Sequence, residues 1–135
     1  MNYIGIDIGG TNLKAGLTDE TGRLLAAARR PLDFRGAETF AADLADLAAE
    51  VLSTAGAVPG DAEGVGIGLP GAVSGGEVLY TTNIPLERTD LAALFRRRLD
   101  LPVLLVLRPR GASLTLAAQV RGLLAFRQPS HIAGI

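Results

Sequence analysis

The chain has 135 residues, 48% of them apolar, with a formal net charge of −1 and no cysteine. That length makes one domain with a modest core. The near-neutral balance gives no general electrostatic claim on nucleic acid or membrane, and the lack of cysteine excludes disulfides and thiolate metal sites.

Tyr3 through Gly16 reads as strand, acidic residue, glycine turn, strand. Gly9 and Gly10 suit a tight turn because glycine enters positive φ without a Cβ penalty, and such a turn aims backbone N–H groups at an anion. Thr11 adds a hydroxyl donor. Asp7 interrupts an otherwise apolar strand, where a carboxylate can hold a water of a hydrated Mg²⁺ rather than ligate the ion alone. Lys14, the only lysine of the chain, either reaches a phosphate as a point charge or stands solvated on the second strand. The plainer alternative is an ordinary Gly-Gly hairpin, which explains Asp7 worst. Asp7 inside the apolar run, with no basic stretch before it, argues against a signal peptide and makes the cytoplasm the expected location.

Residues 3–8 and 13–18 form that hairpin, and Asp19-Glu20-Thr21-Gly22 makes the next turn with Gly22 in a left-handed position. Residues 22–30 supply a third strand, and Pro31 through Ala37 break the pattern. A helix follows whose apolar Phe40, Leu44, Leu47 and Val51 recur at helical spacing, with Asp43, Asp46 and Glu50 between them. Pro59-Gly60 lies in the stretch that stops it.

Gly64 to Gly71 contains a literal G-x-G-x-x-G. It is not a dinucleotide fingerprint, because the last glycine must open a helix, whereas Ala72 to Tyr80 reads as a second hairpin turning at Ser74-Gly75-Gly76. A buried strand ending in a Pro-Gly turn that lines a cleft accounts for it better. No P-loop is present. Thr89 to Asp100 predicts a second helix, with Thr89 as its cap and Leu91, Leu94, Phe95 and Leu99 inward. Arg96-Arg97-Arg98 in its last turn complements the helix dipole as a solvated face. Leu101 to Leu107, a continuous apolar run around Pro102, predicts a buried strand.

D-I-G-G-T-N-L-K-A-G at 7–16, G-I-G-L-P-G-A-V at 66–73 and T-N-I-P at 82–85 together resemble the amino-terminal lobe of the ROK family, bacterial sugar kinases and sugar-responsive repressors. The resemblance runs in order from about residue 1 to 106. It implies an α/β fold of the ribonuclease H-like, actin-like ATPase type, with a mixed sheet built from a three-stranded meander followed by alternating helices and strands. It implies a two-lobed kinase that uses ATP and Mg²⁺, with Asp7, Gly9, Gly10, Thr11, Asn12 and Lys14 near phosphate and metal, and Asp7 on the metal side. Gly71 and Asn83 match the family's sugar-holding positions. An amide both donates to and accepts from a sugar hydroxyl, although an asparagine ahead of Pro85 is also simply a turn residue. The zinc site that many ROK proteins carry needs cysteines, so no zinc is expected here.

One departure limits what the resemblance implies. In the ROK pattern the strand after the second helix ends in E-N-D-A-N, whose aspartate is the general base. This chain continues Val106-Leu107-Arg108-Pro109-Arg110-Gly111-Ala112-Ser113. Arginine stays protonated and cannot take a proton, and Asp100, the last acid of the chain, lies roughly 20 Å away at the other end of the strand. Residues 107–135 hold four arginines, the solitary His131 and no carboxylate. They read as a divergent segment, one amphipathic helix around Leu116, Val120, Leu123 and Leu124 plus a tail, with the composition of a shifted reading frame or a rearrangement. The expected function is therefore a glucokinase-like hexose kinase lobe, inactive alone for want of the aspartate and the second lobe. The alternatives are a non-catalytic, sugar-sensing ROK regulator fragment and a structural or assembly module that forms homo-oligomers through the face left by the absent lobe. The regulator family's DNA-binding helices would precede the first strand, so no nucleic-acid partner is expected, and no membrane.

Overall fold

In the computed structural model, which describes residues 1–74, 76–81 and 84–107, the first three strands form the expected antiparallel meander. They are β1 (Asn2–Ile8), β2 (Asn12–Thr18) and β3 (Leu24–Pro31). Alternation sends Ile4, Ile6, Ile8, Leu13, Ala15 and Leu17 to one face, where all are buried. The β2–β3 turn closes on Gly22, at φ 90°, and on Asp19, whose Oδ1 accepts from the Thr21 amide (2.9 Å) and hydroxyl (2.6 Å) and from the Arg23 amide (3.1 Å).

Helix α1 (Ala37–Thr54) lies on that apolar face and buries Phe40, Leu44, Leu47 and Val51, the residues its periodicity marks, together with Leu52 and three alanines. Each fully buried large side chain contributes on the order of 1.5–3 kcal/mol relative to exposure. Arg30 ties the edge strand to the helix through Glu50 at 3.0 Å. After a 3₁₀ turn at Pro59–Asp61, β4 (Ala62–Leu69) enters parallel to β1, buried over nearly its whole length. A separate antiparallel ribbon follows, β5 (Gly71–Ser74) with β6 (Glu77–Thr81). Gly71 thus opens a strand and not the helix that a dinucleotide fingerprint requires.

The second helix, α2 (Leu91–Arg96), is shorter than the predicted 89–100 and starts on a different cap. Thr89 is held in a β-bridge to Val78, with Val78 N–H donating to the Thr89 carbonyl at 2.7 Å. Asp90 takes the cap instead, its Oδ1 accepting from the Ala93 amide at 2.9 Å. Of the predicted inward residues, Leu91 and Phe95 are fully buried, while Leu94 and Leu99 are half-buried against the core. Strand β7 (Val103–Leu107) then pairs parallel with β4. Among the described residues the main sheet has the order β3-β2-β1-β4-β7, the meander plus two parallel strands that the α/β reading anticipates. No helix of the described residues is long and apolar enough to cross a membrane.

Candidate functional site

Strand register brings the carboxyl ends of three parallel strands to one end of the sheet. Asp7 pairs with Gly68 across β1–β4, and Leu69 pairs with Leu107 across β4–β7. The carboxyl ends of the parallel strands β1, β4 and β7, at Ile8, Leu69 and Leu107, therefore lie side by side, with the hairpin turn following the first and the Pro70-Gly71 turn the second. Neighbouring strands lie about 4.8 Å apart, so the three exits sit within roughly 10 Å of one another. In open α/β sheets this is the edge where ligands bind.

The β1–β2 turn is tight for a different reason from the one its sequence suggests. Neither Gly9 nor Gly10 has positive φ. Gly9 is required by close approach: its N–H donates to the Asn12 carbonyl at 2.9 Å, and a Cβ there would meet that oxygen at 2.8 Å. Gly10 is exposed, and a Cβ on it would meet nothing within 4 Å. Thr11 is exposed too, and its hydroxyl oxygen accepts from the Asn12 amide group at 3.0 Å, which leaves the hydroxyl proton free to point elsewhere. The Thr11 carbonyl accepts from the Leu32 amide at 2.9 Å, fastening the turn to the end of β3.

At the base of the turn Asp7 and Lys14 are direct cross-strand partners. Opposite residues of an antiparallel pair share a face, so both project from the face turned away from α1. Asp7 is half-buried with its Oδ1 shielded from solvent, and Lys14 is exposed. Arg29 of β3, not singled out by sequence, stands opposite Lys14 in the next ladder. Its signal was obscured because a register irregularity between Leu17 and Thr18 upsets counting back from the β2–β3 turn. Among the described residues no group of three or more acidic or imidazole side chains forms a ready metal cage, so an ion here would take most of its ligands from substrate and water. Gly71 is half-buried and pairs with Thr81, whose hydroxyl donates to the Ile84 carbonyl. Asn83, His131 and the whole stretch after Leu107, including Arg108 and Arg110, lie outside the described residues.

The meander with two added parallel strands is the sheet of an actin-like ATPase lobe, the fold shared by solved sugar kinases that superpose on it. A family model described as the ROK family matches residues 3–115, and the chain belongs to that family. It is 37% identical over 107 residues to the N-acetyl-D-glucosamine kinase of Citrobacter koseri, a match covering 73% of this chain and 34% of that one. A ROK family glucokinase from Streptomyces griseus, solved in complex with glucose and AMPPNP, superposes with a TM-score of 0.69 at 31% identity over 78% of this chain and 33% of that one. The inorganic polyphosphate/ATP-glucomannokinase of Arthrobacter sp. strain KM gives 0.68 at 34% identity over 78% and 43%. The chain thus spans about a third of the length of the curated relative it matches.

Proposed function

We propose that residues 1–106 are the amino-terminal, phosphate-binding lobe of an ATP-dependent hexose kinase of the glucokinase type, with residues 107–135 a divergent carboxyl segment. The observation that carries this reading is the β1–β2 turn: no side chain fits at Gly9, open space lies over Gly10, and Asp7 and Lys14 stand together at its base. A phosphate seated over Gly10 would meet backbone amides and the Thr11 hydroxyl, with Asn12 beside them. Asp7 would hold a hydrated Mg²⁺, which neutralises charge on the transferring phosphoryl group, and Lys14 would supply a point charge. Gly71 would line the sugar side of the same sheet edge, and Asn83 matches the family's other sugar-holding position in sequence. These groups position and neutralise; none of them takes the proton from the sugar hydroxyl. A soluble cytoplasmic protein fits this role.

Gly10→Ala tests the reading directly. The added methyl has room in the free protein but fills the space the phosphate needs. MgAMPPNP should raise the melting temperature of the wild type and fail to do so for Gly10→Ala, while Asp7→Asn should weaken only the Mg²⁺-dependent part. Equal stabilisation of the wild type and Gly10→Ala would overturn the cradle. One observation favours a second, non-catalytic reading as a sugar-sensing fragment: no carboxylate occurs anywhere after Asp100, at the amino end of β7. Under that reading a hexose stabilises the chain but is never phosphorylated. An assembly module would respond to neither ligand.

A further inference from the structure

Lys14 and Arg29 are two cations placed face to face. They are Cα partners in the β2–β3 ladder, both exposed, on the face away from α1. Cross-strand partners carry their β-carbons about 4.5–5.5 Å apart, a separation at which like charges repel. Arg23, Arg30, Arg35 and Arg97 each face a carboxylate within ion-pair distance. Neither Lys14 nor Arg29 is in such an ion pair among the described residues, although Asp7 stands opposite Lys14 on β1. The adjacent Arg30 turns to the helix side and meets Glu50, so the alternation of β3 commits Arg29 to the opposite face.

The position of this pair relative to the turn is fixed. Asp7, Lys14 and Arg29 form one row across β1, β2 and β3, and the Leu32-to-Thr11 hydrogen bond pins the end of β3 to the hairpin. Lys14 lies three residues from Thr11, about 10 Å along the strand at ~3.3 Å per residue. Between them on that face stand only Asn12 and its partner Pro31, neither of them charged. A single phosphate in the turn, even one that the long Lys14 side chain meets, does not also reach Arg29 one strand further out. An anion charged along its whole length does.

We propose that Lys14 and Arg29 form one cationic rung that binds the far end of a linear condensed phosphate, three or more phosphoryl groups long, whose near end occupies the Gly9–Thr11 turn. The proposal rests on the phosphate reading of that turn. Two sources supply this chemistry, the triphosphate of a nucleotide and inorganic polyphosphate, the latter used by the Arthrobacter relative according to its name. Arg29 offers planar, multiple donors and Lys14 a compact charge, so together they suit adjacent phosphoryl groups of one chain.

Calorimetric titration of the 135-residue chain with inorganic tripolyphosphate, MgAMPPNP and inorganic phosphate tests it. Tripolyphosphate should bind more tightly than inorganic phosphate. Arg29→Gln and Lys14→Gln should each weaken it roughly fivefold to tenfold, Arg29→Lys should keep most of the affinity, and the differences should shrink at high salt. Arg96→Gln, an exposed arginine on α2, should change nothing. If Arg29→Gln weakens tripolyphosphate but not MgAMPPNP, the occupant is inorganic polyphosphate; if it weakens both, the rung also serves the nucleotide. Unchanged tripolyphosphate affinity in Arg29→Gln, with binding lost in Gly10→Ala, sinks the rung and leaves the cradle standing. Loss of neither, or no binding to the wild type, sinks both.

Discussion

Gly9 and Gly10 are neighbours of one type doing different jobs. Gly9 is a steric requirement, because a methyl group there collides with backbone rather than with a side chain that can swing away. Gly9→Ala should cost about 1–3 kcal/mol in urea unfolding, whereas Gly10→Ala should stay within about 0.5 kcal/mol. A large loss from Gly10→Ala would mean that its vacant space is structural. Asp19 organises the next turn, and the Thr21 hydroxyl, the Arg23 and Thr21 amides and the Arg23 guanidinium hold its carboxyl below the ordinary aspartate range. Its folded-state pKa lies under the unfolded value of about 3.9, so its stabilising effect is complete above that pH and fades as pH falls through the folded value. The difference in melting temperature between wild type and Asp19→Asn should therefore be constant near neutrality and vanish in acid. A gap that widens below pH 4 contradicts this.

Among the elements, α1 was fully legible because its apolar stripe is long enough for period to settle both type and face. The start of α2 was not. Thr89 and Asp90 are both good capping residues, and sequence offers no means of knowing that the Thr89 backbone is already committed to Val78. Asp90→Ala should destabilise by about 1 kcal/mol, while Thr89→Ala, which leaves the bridging backbone intact, should cost less than about 0.5 kcal/mol. Reversed sizes in chemical denaturation would return the cap to Thr89. The ribbon of β5 and β6 was legible from turn chemistry, with Gly76 at φ 86° supplying the left-handed residue.

For the molecule as a whole, the end of β7 is the decisive place. It lies in register with Leu69 and two strands from the β1–β2 turn, the position from which an acid would serve a substrate bound at that edge. The sequence there supplies Arg108 and Arg110, which cannot accept a proton. A coupled assay of these 135 residues with MgATP and glucose, mannose or N-acetylated hexosamines should show no turnover, because a missing general base alone removes about 10²–10⁴-fold. Turnover abolished by Asp7→Asn would refute this.

Local rules were enough to determine the hairpin, the long helix, the buried glycine-spaced strand and the chemistry that Asp7, Thr11 and Lys14 can offer, since each follows from periodicity or side-chain type within a few residues. Register was decided only in three dimensions. Whether Lys14 faces Arg29, whether Gly9 needs its hydrogen by contact or by torsion, and whether β1, β4 and β7 end together depend on hydrogen-bonded pairing between segments up to about sixty residues apart, which no local preference encodes.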